Sequence, residues 1–157
     1  MDIIIREIKK EEYGLLEDFL YEAIFVPSGI KKPSRNIIQN EELQVYIKDF
    51  GSINDNCLVA EVYGKIVGAC WTRIMNDYGH IDDNTPSFAI SLYEEYRGKG
   101  IGTSLMEKML ELLKSKGYKQ ASLAVQKENY AVNMYKKVGF EIIDENDQEY
   151  IMVCELN

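Results

Sequence analysis

The stretch SLYEEYRGKGIGTSLMEKML, residues 91–110, decides the fold. An extended run ends at Tyr93 and is followed by polar residues. Gly98, Gly100 and Gly102 then precede a segment whose apolar residues recur at helical spacing. A helix that starts at a glycine turn presents unpaired N–H groups and the positive end of its dipole. The stretch therefore predicts a strand, a tight turn and a long amphipathic helix, with a turn suited to phosphate.

Two common phosphate loops do not fit this turn. A dinucleotide-binding fingerprint needs a glycine at position 103, where the chain has Thr103. A Walker loop needs Gly-Lys followed by Ser or Thr, but here Gly102 directly precedes Thr103. Both classes are excluded by these residues.

The turn instead resembles the pyrophosphate loop of the GNAT superfamily of N-acetyltransferases. That loop reads Arg or Gln, two residues, Gly, one residue, then Gly or Ala, and residues 97–102 (RGKGIG) fill each position. A second block also resembles the family, whose asparagine-to-YxxxGF motif matches Asn129, Ala131, Tyr135, Gly139 and Phe140. Asn129 lies six residues before Tyr135, whereas many members of the family have seven.

The resemblance implies an α+β GNAT fold, with a mixed, mostly antiparallel sheet of about seven strands and about four helices. Strands 4 and 5, here residues 87–93 and 120–125, would splay apart, and acetyl-coenzyme A would lie in the V between them. By resemblance, the residues that bind this co-substrate are Ile90, Ser91, Leu92, Arg97, Gly98, Lys99, Gly100, Ile101, Gly102, Thr103, Asn129 and Tyr135.

Within that set the resemblance implies distinct tasks. The pantetheine arm would pair with the backbone around Ile90 to Leu92 like an added strand, and the Leu92 amide would steady the thioester oxygen. The pyrophosphate would take the amides of residues 98–103, with Arg97 and Lys99 supplying positive charge. Tyr135, near the coenzyme sulfur in related enzymes, would protonate the departing thiolate as the general acid.

The sequence leaves the general base and the acceptor site open. The substrate-side candidates are Glu22 on the first helix and His80, Asp82 and Asp83 in the loop before the fourth strand. His80 is the one side chain whose ordinary pKa lies near neutrality. A solvated loop would explain the same residues without any role in catalysis.

Composition limits the partners. The 157 residues form one expected domain, 1–157, with 18 Lys and Arg against 26 Asp and Glu, a net charge of −8. Residues 97–137 carry nine basic and three acidic residues, whereas the rest carry nine and 23. An acidic chain with one basic segment fits a small polyanion and a cationic amine acceptor, not nucleic acid.

Further absences in the sequence set additional expectations. No apolar run is long enough for a membrane span, and the charged start MDIIIREIKKEE does not fit a signal peptide, so the expected location is the cytoplasm. Three scattered cysteines and one histidine fit neither a disulfide framework nor a metal site, so no metal is expected. Homodimerisation stays open.

Outside the glycine turn, the pattern predicts the order β-α-α-β-β-β-α-β-α-β-β. A second helix is expected from Ser34, as N-cap, to Phe50, with Gly51 as its end. Two strands joined at Gly64 and Lys65 form an expected hairpin. The long helix should end at Lys116 and Gly117.

Three functions are compatible with these residues. The first is transfer of acetyl from acetyl-coenzyme A to a primary amine of a small molecule or peptide, by direct attack in a ternary complex. The second is a non-catalytic acyl-coenzyme A binding module. The third, within the enzyme class, is acetylation of protein N-termini. A tyrosine at position 135 favours an enzyme over a binding module.

Overall fold

The computed structural model describes residues 2–157, which form a seven-stranded sheet with helices on both faces. The strands are β1 Ile3–Glu7, β2 Asn56–Val62, β3 Lys65–Arg73, β4 Ser87–Leu92, β5 Gln120–Gln126, β6 Glu141–Glu145 and β7 Glu149–Glu155. The helices are α1 Leu15–Glu22, α2 Glu41–Gln44, α3 Ile101–Ser115 and α4 Ala131–Lys137. The strand order is β1-β2-β3-β4-β5-β7-β6. Only β4 and β5 are parallel among these described strands, so the predicted α+β class and mixed sheet are confirmed.

The two faces of the sheet carry separate hydrophobic clusters. On one face α3 and α4 cover the sheet, and four residues of α3 that follow helical spacing are fully buried: Leu105, Met106, Met109 and Leu113. On the other face α1 packs through Leu16, Phe19 and Leu20 against Trp71. Strand residues alternate between these faces, which is why neighbours on β3 such as Cys70 and Trp71 lie in different clusters.

The ends of α3 follow the predicted pattern. The helix begins after Gly100 and is capped at Lys116, and Gly117 adopts a φ of 90°. The Tyr118 amide then donates to the Leu113 carbonyl at 3.1 Å, and the Gly117 amide donates to the Lys114 carbonyl at 3.0 Å. These two bonds satisfy carbonyls that the helix end would otherwise leave free.

The β2–β3 hairpin is confirmed, but its turn lies one residue earlier than expected. Tyr63 and Gly64 are the turn residues, with φ of 49° and 79°, and Lys65 is already the first residue of β3. Positive φ at both central positions is typical of the tight turns that join two-residue hairpins, because the backbone twist of these turns matches the twist of the strands.

The predicted helix from Ser34 to Phe50 is wrong. A 3-10 turn at Arg35–Gln39 is followed by the single-turn α2, and Asn40 between them is extended, with φ of −60° and ψ of 138°. Ser34 does not cap through its side chain. The apolar residues still reach the core, because Ile38 is buried and Phe50 packs against the α1-side cluster.

Candidate functional site

The sheet opens between β4 and β5. In the described chain these strands pair at one position only, Ser87 with Ser122, and the Ser122 amide donates to the Pro86 carbonyl at 2.9 Å. Beyond this vertex the two strands diverge. The predicted splay between strands 4 and 5 is therefore present, and its closed end is a pair of serines.

The backbone alternation shows which groups face the opening. The Tyr93 amide donates to the Val67 carbonyl at 3.0 Å, so Ser91, two residues earlier, also directs its backbone toward β3. Ile90 and Leu92 then direct theirs toward β5. Across the gap the Lys127 amide pairs with β7 at Gln148, 2.8 Å away, so residues 124 and 126 direct their backbones into the V.

A glycine loop follows β4 at the open end. The amides of residues 98–103 donate to no acceptor within residues 2–157, and the first return bond of the helix runs from Ser104 to Gly100, at 3.2 Å. Six consecutive unpaired N–H groups at the start of a fifteen-residue helix are an arrangement that suits an anion. Lys99 lies exposed within the same loop.

The three glycines of the loop serve two purposes. Gly98 and Gly100 have φ of 74° and 84°, and a Cβ on either would meet open space. Gly102 is buried instead, and a Cβ there would lie 3.3 Å from Met134 Sδ and 3.7 Å from Leu92 Cδ1. The first two therefore shape the turn, and the third lets α3 approach α4 and β4.

Arg97 is held by protein groups on two elements. Its Nε donates to the Leu92 carbonyl at 3.0 Å, and its Nη2 donates to Glu22 at the main-chain oxygen and at Oε1, each at 3.2 Å. Lys32 adds a second contact to the Glu22 carboxylate at 3.4 Å. Glu22, proposed from the sequence as a base, is thus ion-paired to two cations.

Tyr135 lies in the α3-side cluster. Its ring meets Phe140 edge-on, with centroids 6.1 Å apart, and Phe140 meets Phe88, the residue after the vertex, at 5.5 Å. The ring is buried, yet its hydroxyl has no hydrogen-bond partner among the described residues. Burial raises the pKa of this phenol above its usual value of 10, and the Cys70 thiol adds to the shift, so Tyr135 is protonated at neutral pH.

The side chains of Ser91 and Asn129 are used locally. Ser91 Oγ donates to the Phe19 carbonyl at 2.6 Å, which directs that side chain toward α1. Asn129 Oδ1 accepts from the Ala131 amide at 2.9 Å and so starts α4. Since the Ser91 backbone pairs with β3, neither its side chain nor its backbone faces the V, which Ile90 and Leu92 line instead.

The loop candidates are dispersed. Asp82 holds its own turn, accepting from the Asn84 amide and the Thr85 hydroxyl, both at 2.8 Å, and the Thr85 bond first of all lowers its pKa. His80 Nε2 lies 3.6 Å from the exposed carboxylate of Asp83. Asp82 therefore stabilises its own turn. Within residues 2–157 it forms no hydrogen bond with Ser87 or Ser122, the pair at the vertex.

One acid at the vertex was missed by the sequence analysis. Asp77 accepts hydrogen bonds from Ser87 Oγ at 3.1 Å and from the Tyr46 hydroxyl at 3.3 Å. Burial raises the pKa of Asp77 and that of Glu149, and the negative charge of Asp77 raises the pKa of Glu149 further. Asp77 lies in a polar loop, where no local pattern distinguishes it from Asp82.

Residues 2–157 contain neither a metal-binding cluster nor a membrane-spanning helix. No group of three or more His, Cys, Asp or Glu side chains in that range could hold a metal ion. No helix in the same range combines the length and apolar character needed to cross a bilayer.

Comparison with known sequences gives matches to acetyltransferases. The sequence model described as the acetyltransferase (GNAT) family matches residues 20–140. An acetyltransferase of Sodalis glossinidius is 34% identical over 107 residues, 61% of this chain and 70% of that protein. An acetyltransferase of Pectobacterium atrosepticum is 34% identical over 92 residues, 57% of this chain and 60% of that protein.

Solved structures match over nearly the whole chain. The PaiA N-acetyltransferase of Thermoplasma acidophilum, solved with coenzyme A, has a TM-score of 0.73 at 22% identity, covering 99% of each chain. A ribosomal-protein alanine N-acetyltransferase of Escherichia coli has 0.71 at 15% identity, covering 99% of this chain and 95% of that one. A spermidine N-acetyltransferase SpeG chimera, from Vibrio cholerae and hSSAT, has a TM-score of 0.66 at 17% identity, covering 99% of this chain and 96% of that one. At these identities the likeness is one of fold.

Proposed function

Because the chain belongs to the acetyltransferase (GNAT) family, we propose that it transfers the acetyl group of acetyl-coenzyme A to the nitrogen of a cationic primary amine. The transfer is direct, in a ternary complex, so no enzyme side chain carries the acetyl group. The observation that carries this proposal is the junction of a splayed sheet with six unpaired amides at its open end.

The residues at this junction fit the chemistry of coenzyme A. A diphosphate needs several converging N–H donors and positive charge, which residues 98–103 and Lys99 offer. A pantetheine arm carries amide groups of its own, and the backbone of Ile90 and Leu92 faces the V as an unpaired strand edge. The Leu92 carbonyl accepts a hydrogen bond from Arg97, whereas the Leu92 amide remains available to a ligand.

Acetyl-coenzyme A supplies an acetyl group that is already activated as a thioester. The chain's residues then perform three tasks around it. The inward amide of Leu92 stabilises negative charge that develops on the thioester oxygen. Tyr135 donates its phenolic proton to the departing thiolate. The burial that keeps Tyr135 protonated also disfavours a thiolate in the same environment, so the proton transfer is matched to the site.

The acceptor is assigned as a cation from the distribution of charge. Of 26 Asp and Glu residues, 23 lie outside residues 97–137. Two of them, Asp77 and Glu149, interact on the sheet face opposite Tyr135. An acidic approach raises the local concentration of an ammonium ion.

The experiment is a screen for amine-dependent thiol release. Acetyl-coenzyme A is incubated with polyamines, amino acids, N-terminal peptides and neutral amines, and free coenzyme A thiol is measured at two ionic strengths. We expect turnover with cationic acceptors, weakened by salt. Turnover confined to N-terminal peptides would favour the protein N-terminal acetyltransferase instead. Tight coenzyme binding without turnover on any amine would favour the non-catalytic module and would contradict the proposal.

A further inference from the structure

A buried hydrogen-bond network closes the vertex of the V on the α1 side. Asp77 is at its centre, with Ser87 Oγ on one carboxyl oxygen and the Tyr46 hydroxyl on the other. Ser87 also lies 3.3 Å, Oγ to Oγ, from Ser122, its partner in the one β4–β5 pair of the described chain. The Asp77 carboxyl is therefore attached directly to the point where the two strands part.

The loop that carries Asp77 is fixed against β5. Ser122 Oγ donates to the Gly79 carbonyl at 2.7 Å. A Cβ on Gly79 would lie 3.1 Å from the Ala124 nitrogen, which is closer than most side chains approach a backbone. A larger residue would thus move the loop away from the strand. The absence of a side chain at Gly79 therefore determines how closely the loop that carries Asp77 packs against β5.

Tyr135 and Asp77 lie on opposite faces of the sheet. Tyr135 reaches the vertex through Phe140 and Phe88 in the α3-side cluster. Asp77 reaches it through Ser87, whose neighbours at alternate positions on β4, such as Ala89, pack in the α1-side cluster. The acceptor nitrogen, which loses a proton, and the thiolate sulfur, which receives one, can therefore be contacted from opposite faces of the sheet.

Resting on the proposed function, we propose that Asp77 is the general base that takes the proton from the acceptor ammonium. The neutral nitrogen then forms its bond to the acetyl carbon, and the carbon–sulfur bond breaks with its electron pair on sulfur. Tyr135 protonates that sulfur. As the amide forms, the nitrogen gives up its second proton, which replaces the one that Tyr135 donated to sulfur. Asp77 releases the first proton to solvent, so one ammonium and one thioester give one amide, one thiol and one proton.

The electrostatics around Asp77 suit this task. The titratable groups that face it are Tyr46, from the segment after α2, and Glu149, from β7. His80, from its own loop, donates its backbone amide to the Asp77 carbonyl at 3.1 Å. No Lys or Arg within residues 2–157 forms an ion pair with Asp77. Burial therefore raises its pKa, and a carboxylate with a raised pKa is a stronger base.

The acids named from the sequence are less suited to this step. The Glu22 carboxylate is already engaged by Arg97 and Lys32, so it is not free to meet an acceptor ammonium. Asp82 accepts two hydrogen bonds that lower its pKa, which makes it a weaker base. Asp77 alone among these three is both bonded to the vertex and free of a cationic partner in the described chain.

The test is the pH profile of Asp77→Asn in the whole protein, with an amine that the parent acetylates. We expect unchanged affinity for acetyl-coenzyme A, and a loss in kcat/KM at neutral pH of about 10²- to 10⁴-fold, the usual contribution of a positioned base. The acid limb of the parent profile should vanish, and the residual rate should rise with the fraction of neutral amine. An acceptor whose ammonium is already deprotonated at the assay pH should recover most of the rate.

Two further variants keep the inference falsifiable. Tyr46→Phe removes one hydrogen bond that lowers the pKa of Asp77, so the acid limb should move to higher pH. Asp147→Asn, at an exposed turn between β6 and β7, is the matched control and should retain the parent profile. A parent-like profile in Asp77→Asn, or a loss that is uniform across pH and amine basicity, would overturn the base assignment. A parent that releases no thiol with any amine would instead refute the proposed function.

Discussion

The Arg97 guanidinium donates to the main-chain oxygen of Leu92 at 3.0 Å, which fastens the glycine loop to the last residue of β4. The same guanidinium reaches Glu22 at the end of α1. Loop, strand and helix therefore share one cation, and the six unpaired amides are held in a fixed position relative to the V.

Gly100→Trp should abolish acetyl-coenzyme A binding in a folded protein. The left-handed φ of 84° makes any side chain there strained by about 1–2 kcal/mol, and the indole would occupy the space in front of the amides. Calorimetric titration with the coenzyme measures the effect. Gly117→Trp, with a φ of 90° and equally open surroundings at the other end of α3, carries the same strain and should bind normally. Equal affinity in both variants would contradict the site.

Tyr135→Phe should lower turnover by about 10²- to 10⁴-fold while coenzyme affinity and stability change little. Stability is preserved because the hydroxyl forms no hydrogen bond with a residue in the range 2–157 that the change would remove. Steady-state kinetics and thermal unfolding measure the two effects. Turnover within about twofold of the parent would eliminate the general acid role.

Tyr135→Ala provides the comparison that isolates packing. Removing the ring leaves a cavity beside Phe140 and should cost about 3–5 kcal/mol of unfolding free energy. If the alanine variant loses activity only in proportion to its unfolded fraction, while phenylalanine is fully active, the tyrosine is a packing residue.

Asp55→Ala should destabilise the protein by about 3–5 kcal/mol, because it leaves a buried guanidinium without its counter-ion. Arg73 donates to both carboxyl oxygens of Asp55, from Nε and Nη2 at 3.1 Å each, and the two side chains are 11% and 4% exposed. Urea unfolding gives the value. Asp18→Ala breaks an ion pair with the half-exposed Arg35 and should cost at most about 1 kcal/mol. Equal costs would show that burial does not strengthen the Arg73 pair.

Glu12→Gln should weaken the protein at neutral pH and have progressively less effect in acid. Two hydrogen bonds from Arg6 lower the pKa of Glu12 from 4.5 to about 2. A carboxyl whose pKa is lower in the folded protein stabilises the fold at pH values above the pKa of the unfolded chain. This stabilisation is lost as the pH falls through the pKa of the folded protein. The difference in unfolding free energy from the parent should therefore narrow between pH 4.5 and 2. Glu42→Gln, an exposed residue of α2, is the control. A gap that is constant across this range would contradict the assignment.

The sequence predicted those features that depend on local chemistry. Gly100 and Gly117 mark the ends of α3 because left-handed positions favour glycine, and the splay followed from the resemblance of the loop. The helix predicted from Ser34 to Phe50 failed at Asn40, since two short helical turns bury Ile38 and Phe50 as well as one long helix would. Asp77 could not be predicted, because its side chain contacts Ser87 and Tyr46, which are distant in sequence, and the residues next to Asp77 carry no sign of these contacts.

The single Ser87–Ser122 pair also changes how many edges the sheet has. A seven-stranded sheet normally exposes two, but the opening adds an inner edge on β4 and another on β5. Unpaired strand edges are templates for association with other chains. A sheet that keeps such edges in its interior gains a groove for an extended ligand and accepts, in the unliganded protein, a local tendency to recruit foreign strands.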